Sequence, residues 1–171
     1  KIKDNIYLES TIKKFNFDII YCLDSDLTSF PLIIKSLNFQ KNCIFAIANK
    51  DLVIAGGKIL VNKILASNNL ICPLDSEHFS LIDLFSMNKN DIKKIYITAS
   101  GGPFYFKKKN FDRVSKDEVL NHPKWKMGTD ISIDSSNFMN KIFEIFELSN
   151  IYNISLKKID FMISQDAYVH S

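Results

Sequence analysis

Asp75 and Glu77 stand two residues apart in the segment Pro73-Leu74-Asp75-Ser76-Glu77-His78. In an extended segment, side chains two apart point the same way, so both carboxylates would face one side of the chain. Two such charges repel unless a proton or a cation is shared between them. Oxygen donors suit hard Mg²⁺ or Mn²⁺ far better than zinc, which favours His and Cys. The pair alone is also compatible with two ordinary acids at a strand end.

A second polar set lies further on. Asn137, Asn140, Lys141 and Glu144 fall at the spacing that places residues on one helix face, while Met139, Ile142, Phe143 and Phe146 cover much of the other side. Spacing does not decide between a solvated stripe and a set of ligands. Ser100-Gly101-Gly102 is a third candidate. Glycine permits close backbone approach to a ligand, and backbone N–H groups with a hydroxyl can cradle a phosphate. A tight strand-exit turn is the plainer alternative.

The elements that position these groups read as an α/β chain. Residues 6–15 have a helical pattern, 17–22 form a strand and 24–28 a polar turn, after which Pro31 opens a helix to residue 37. A strand over 43–48 ends at Asn49-Lys50-Asp51; Gly56-Gly57 precedes a helix to about residue 65; a turn at Asn68-Asn69 leads into a strand over 70–74. Strands alternating with helices imply a mostly parallel sheet, whose ligand crevice lies beyond the carboxyl ends of its strands. Asn49-Lys50-Asp51, Asp75-Ser76-Glu77-His78 and Ser100-Gly101-Gly102 all sit at such ends. In the second half, residues 92–99 read as a strand, 104–111 as a loop or short hairpin, 115–120 as a short helix and 121–128 as a loop. Ser135 or Ser136 is placed to cap a helix running to about residue 148.

Composition fits a globular chain of one domain, or of one domain and part of another: 171 residues, 46% hydrophobic and 24% charged, with a net charge of +3. Such a length buries a core without disulfides or structural metals. No strip of basic residues interleaved with aromatics suggests nucleic acid, and the Lys107-Lys108-Lys109 run reads as a solvated loop. No apolar stretch approaches the roughly 20 residues of a membrane span. Cys22, Cys43 and Cys72 share no metal-like spacing and read as reduced thiols in a cytosol-like compartment. The five glycines never fall as Gly-x-Gly-x-x-Gly, so no dinucleotide fingerprint is present. A start at Lys1, without Met or signal peptide, reads as a piece of a longer protein.

In order, Ala48-Asn49-Lys50-Asp51, Pro73 to His78 and Thr98-Ala99-Ser100-Gly101-Gly102-Pro103-Phe104 resemble motifs of 1-deoxy-D-xylulose 5-phosphate reductoisomerase. The series continues through His122-Pro123-Lys124-Trp125-Lys126-Met127-Gly128, Ile133-Asp134-Ser135, Met139-Asn140-Lys141 with Glu144, and Val169-His170-Ser171. The resemblance implies an NADPH- and divalent-metal-dependent enzyme, using Mg²⁺, Mn²⁺ or Co²⁺. It would convert 1-deoxy-D-xylulose 5-phosphate to 2-C-methyl-D-erythritol 4-phosphate in non-mevalonate isoprenoid biosynthesis. Residues 1–73 would be the end of a Rossmann-like NADPH-binding domain and 74–171 an α+β catalytic domain with a mobile flap, a C-terminal helical domain following.

By position, Asp75, Glu77 and Glu144 would be the metal ligands. Lys50, Glu77 and His122 would be catalytic. Lys50, Ser76, Glu77 and Glu144 would meet the sugar-phosphate substrate, and Ser100, Ser135, Asn140 and Lys141 its phosphate. His122, Trp125 and Met127 would belong to the flap over it. Asn49, Asp51 and Gly128 would line the NADPH side, and His170 matches a family histidine near the active site but receives no role. A homodimer in a bacterial cytoplasm or a plastid is implied, without nucleic-acid or membrane partners. The chain departs from the family at Asp51 (usually Glu), Thr129-Asp130 (usually basic), Ser164-Gln165-Asp166-Ala167 (usually His-Pro-Gln-Ser) and the glycine-free Leu23-Asp24-Ser25-Asp26. Those departures keep two alternatives open: a non-catalytic relative binding metal and a phosphorylated ligand, or an NADP-dependent oxidoreductase of another sugar phosphate.

Overall fold

A computed structural model describes residues 5–105, 113–121, 128–164, 166 and 168–171. Helix α1 (Asn5–Lys14) leads into strand β1 (Ile19–Cys22), and α2 (Phe30–Ser36) connects it to β2 (Ile44–Ile47). Pro31 stands in the first turn of α2, where its missing N–H is no loss. Helix α3 (Lys50–Ala66) then returns the chain to β3 (Leu70–Pro73). The three strands form a parallel sheet in the order β1-β2-β3, with Ile19 beside Ile44 and Ile44 beside Leu70.

After β3 come a one-turn helix α4 (Ser76–Phe79), a 3₁₀ turn (Ile82–Phe85) and strand β4 (Ile95–Ala99). Helix α5 (Lys116–Leu120) begins in a reciprocal cap, Ser115 accepting from the Glu118 N–H and Glu118 accepting from the Ser115 N–H. Helices α6 (Thr129–Ser136) and α7 (Met139–Tyr152) precede strand β5 (Ile159–Ile163), which pairs in parallel with β4. One apolar cluster joins both sheets, with Phe45, Leu52, Ile64, Ile97, Leu148 and Tyr152 inside it. Each fully buried side chain of this kind contributes roughly 1.5–3 kcal/mol.

Three boundaries differ from the sequence reading. Helix α3 starts at Lys50, seven residues before Gly57, because the Asn49 side chain accepts the Leu52 N–H at 3.0 Å and caps it. Gly57 (φ 52°, ψ −153°) marks a kink inside this helix and not its beginning. Ser135 and Ser136 cap nothing: they are the last residues of α6, and α7 begins after Phe138, which holds φ 65°. Strand β5 has no counterpart in the sequence reading, since Asp160 interrupts a short apolar run. Most of the expected 104–111 loop and nearly all of the 121–128 loop lie outside the described residues.

Candidate metal and phosphate site

Asp75 and Glu77 come together through a helix start, not through strand alternation. Asp75 is the N-cap of α4, and its Oδ1 accepts the Glu77 N–H at 3.2 Å. Glu77 thus occupies the first turn, where Ser76 Oγ donates to its Oε2 at 2.7 Å. Glu144 enters from α7. Asp75, Glu77 and Glu144 each offer a carboxylate oxygen within 4.8 Å of the others.

Two lysines face these acids. Lys50, at the start of α3, pairs with Asp75 and lies 3.4 Å from Glu144 Oε1 and 3.5 Å from Glu147 Oε2. Lys141 lies 2.9 Å from Glu77 Oε1 and makes an ion pair with Glu144 Oε2. With Asp75, Glu77, Glu144 and Glu147 all ionised, four carboxylates surround two ammonium groups, leaving an excess of two negative charges.

The electrostatics follow from burial. Desolvation pushes the Asp75 carboxyl up, but Lys50 and then His78 more than offset it and hold it below the ordinary carboxylate range. Burial also raises Glu144, and there Asp75 and Glu77 reinforce the rise while Lys50 and Lys141 oppose it; the net shift is upward. Lys50 is disfavoured by desolvation, yet Asp75, Glu147 and Glu144 hold its ammonium well above the ordinary range. The Oε2 atom of Glu144 is buried and makes no hydrogen bond among the described residues, its contact with Lys141 being ionic only. Three carboxylates with oxygens within 4.8 Å of one another, in a cluster holding more acids than lysines, suit a hard divalent cation.

The acids form one end of a cavity of about 430 Å³. Ser100, Gly101, Gly102 and Ser135 form another part of its wall, from the β4 exit and the end of α6. Gly102 has φ 69°, and a Cβ there would come 2.6 Å from the Ser135 carbonyl oxygen. Only glycine lets the two segments approach this closely.

Lys50, Asp75, Ser76, Glu77, Ser100, Ser135, Asn140, Lys141 and Glu144 all line this one cavity. Of the expected stripe, Lys141 and Glu144 are buried, at 5% and 2% exposed, and Asn140 is half-buried, whereas Asn137 is exposed and precedes α7; Ile142 is 44% and Phe146 45% exposed on the opposite side. Asn140 and Lys141 both turn towards Glu144, the Asn140 amide donating to its Oε1 at 2.6 Å. Asn49, Asp51 and Gly128 do not line the cavity. The Asn49 side chain is committed to Leu52 and, at 2.7 Å, to the Asp26 carbonyl. Asp51 is exposed, and Gly128 caps α6. His122, Trp125 and Met127 lie outside the described residues.

Sequence reasoning missed Glu147, Thr98 and His78, and gave His170 a place near the site but no role. His170 lines the cavity with Nδ1 3.7 Å from Glu77 Oε2, while its carbonyl accepts the Thr98 N–H at 2.9 Å. Ser171 Oγ donates to the Glu77 carbonyl at 3.0 Å. Continuing the α7 spacing one more turn, from Glu144 to Glu147, would have found that residue.

Residues 71–152 match the family described as 1-deoxy-D-xylulose 5-phosphate reductoisomerase C-terminal domain. The chain is 37% identical over its whole length to the 1-deoxy-D-xylulose 5-phosphate reductoisomerase of Pelagibacter ubique (strain HTCC1062), spanning 45% of that protein. It is 43% identical over 78% of its length to the enzyme of the same name from Persephonella marina (strain DSM 14350 / EX-H1), spanning 35% of it. The chain thus spans less than half the length of the curated relatives it matches. Among solved structures, it superimposes with a TM-score of 0.83 on DOX-P reductoisomerase in complex with NADPH, fosmidomycin and magnesium, at 24% identity, covering 98% of this chain and 43% of that one. The Zymomonas mobilis enzyme in complex with NADPH gives 0.80 at 24% identity, over 96% of this chain and 42% of that one. At that identity the structures establish the fold. The sequence matches go further: the ordered motifs and the residues that line one cavity place this chain in the 1-deoxy-D-xylulose 5-phosphate reductoisomerase family.

Proposed function

We propose that this chain is the metal- and substrate-binding part of an NADPH-dependent reductoisomerase acting on 1-deoxy-D-xylulose 5-phosphate in non-mevalonate isoprenoid biosynthesis. The observation that carries the reading is the single cavity that joins the acidic centre of Asp75, Glu77 and Glu144 to the Ser100–Ser135 wall. Relatives of that name support it, as does the likeness in fold to enzymes bound to NADPH, fosmidomycin and magnesium.

Asp75, Glu77 and Glu144 would hold Mg²⁺ or Mn²⁺, which when bound acts as a Lewis acid on the oxygens where charge builds during the rearrangement. NADPH supplies the hydride. Lys50 and Ser76 then contact the substrate backbone at the acidic end. Ser100 and Ser135 donate to its phosphate, and Asn140 and Lys141 rotate from Glu144 to join them; the Lys141 ammonium adds the countercharge. His122, Trp125 and Met127 close over the substrate, and Asn49, Asp51 and Gly128 serve the NADPH side. Residues 1–73 end the nucleotide domain, 74–171 form the catalytic one, and the whole enzyme is a homodimer of a bacterial cytoplasm or plastid.

Calorimetry with fosmidomycin tests the site. Binding that requires Mn²⁺, is abolished in Glu144→Gln and is weakened about tenfold or more in Lys141→Ala is the expected result. Binding without metal, or unchanged in Glu144→Gln, refutes the assignment. Steady-state NADPH oxidation by the full-length protein, with this substrate against other sugar phosphates, separates the reductoisomerase from a non-catalytic relative and from another oxidoreductase.

A further inference from the structure

Glu147 is a buried carboxylate, 3% exposed, that lies behind the cavity and does not line it. A ligand in the cavity does not reach such a group, yet a buried charge must be matched by partners. Among the described residues its partners are two. Lys50 Nζ is 3.5 Å from Oε2, and the His78 ring donates to the same oxygen from Nε2 at 3.2 Å. His78 is itself fully buried, and its carbonyl accepts the Tyr152 hydroxyl at 2.5 Å. Tyr152, His78 and Glu147 thus form a chain that runs from the apolar core to the Lys50 ammonium.

Among the described residues Lys50 has three carboxylate neighbours, and two of them are Asp75 and Glu144. A metal held by those two shares their oxygens with the Lys50 ammonium. Glu147 is the one contact the metal triad does not include. Asp75, His78 and Glu147 also offer ligand atoms within 4.8 Å of one another. His78 and Glu147 do not line the cavity, so a cation held by that trio would sit away from the space a ligand can enter.

We propose that Glu147, clamped by His78, is a positioning residue that keeps Lys50 aimed into the cavity when Asp75 and Glu144 serve a metal. The inference rests on the functional reading above, and its test distinguishes the two. In full-length protein labelled with ¹⁵N at the lysine side chains and saturated with Mg²⁺, Lys50 should give a slowly exchanging ammonium signal, identified by its loss in Lys50→Met. Glu147→Gln should broaden that signal beyond detection. In parallel, Glu147→Gln should lower kcat/KM by roughly 10–100-fold at saturating Mg²⁺. The Glu147→Gln, Lys50→Met double variant should match Lys50→Met within about twofold, as expected when both losses are one interaction.

No Lys50 signal in the wild type, a signal unchanged in Glu147→Gln, or kinetic losses that simply add overturns the proposal. Absence of turnover in the wild type refutes the functional reading, and the ammonium signal alone then decides the role of Glu147. Should Glu147→Gln fail to fold, His78→Ala, which releases the clamp and leaves both charges, takes its place with the same outcomes.

Discussion

Gly102 joins backbone geometry to the site more directly than any charged residue does. Its φ of 69° strains every other residue, and a Cβ there would press within 2.6 Å of the Ser135 carbonyl. Gly102→Ala should therefore destabilise the protein by about 1–3 kcal/mol, seen as a lower urea midpoint at unchanged slope. Because relief of the clash separates Ser100 from Ser135, phosphonate binding should weaken as well. A variant of wild-type stability would show that the two segments do not approach so closely. The residue types in Ser100-Gly101-Gly102 signalled a close backbone approach, but to a ligand; the approach the structure shows is to the Ser135 carbonyl. Asp75 and Glu77 were also legible as a pair, though for a reason the structure replaces: a side-chain cap at a helix start, where strand alternation was expected. Glu147 needed only one more turn of the α7 spacing, but His78 was not legible, since what marks it is its contact with Glu147 across 69 positions of chain.

Elements were legible where local chemistry punctuates them and obscure where tertiary contacts override it. Pro31 opened α2 and Ser115 capped α5 as their types require. The break between α6 and α7 falls at Phe138 in a left-handed conformation, which no propensity favours for a bulky side chain. The pattern of α7 fixed the angle between its polar and apolar faces, but not which face meets solvent. The cavity reverses the ordinary choice, burying Lys141 and Glu144. At the N-terminal end, Glu9 of α1 pairs with Lys13 at 2.8 Å and with Lys35 of α2 at 2.9 Å. The hydrogen bonds from Lys13 and then Lys35 hold the Glu9 carboxyl at about 2. The folded value lies below the unfolded one of about 4.3, so this pairing stabilises fully above the unfolded value and is lost as pH falls towards about 2. An NMR titration of the Glu9 side chain should give that depressed value in the wild type and a clear upward move in Lys35→Ala. An unchanged titration in the variant would mean that Lys35 does not join the two helices.

At the scale of the whole molecule, the site joins side chains from parts of the chain that are far apart in sequence. Asp75 and Glu77 follow β3 of the first sheet, Lys50 begins α3, and Glu144 comes from α7, which packs on α3 and leads to the second sheet. Unfolding disperses all four, so a cation that binds the folded cluster has no comparable site on the unfolded chain. Binding then stabilises the native state by mass action, about 2.7 kcal/mol at a free metal concentration of 100 times Kd. For a chain of this size each kcal/mol moves Tm by roughly 2–4 °C, so saturating Mn²⁺ should raise Tm by about 5–10 °C. Because a single apolar cluster spans both sheets, the shift should appear as displacement of one cooperative transition, not as a second one. Glu144→Gln should abolish the increment. It should also raise the metal-free Tm slightly or leave it unchanged, since it removes one negative charge from a cluster with two in excess and replaces a carboxyl that burial already disfavours in its charged form. Calorimetric scans of both proteins with and without Mn²⁺ decide the matter. An equal Tm rise in Glu144→Gln would place the cation elsewhere on the molecule, and a wild-type Tm indifferent to Mn²⁺ would remove the metal from this site.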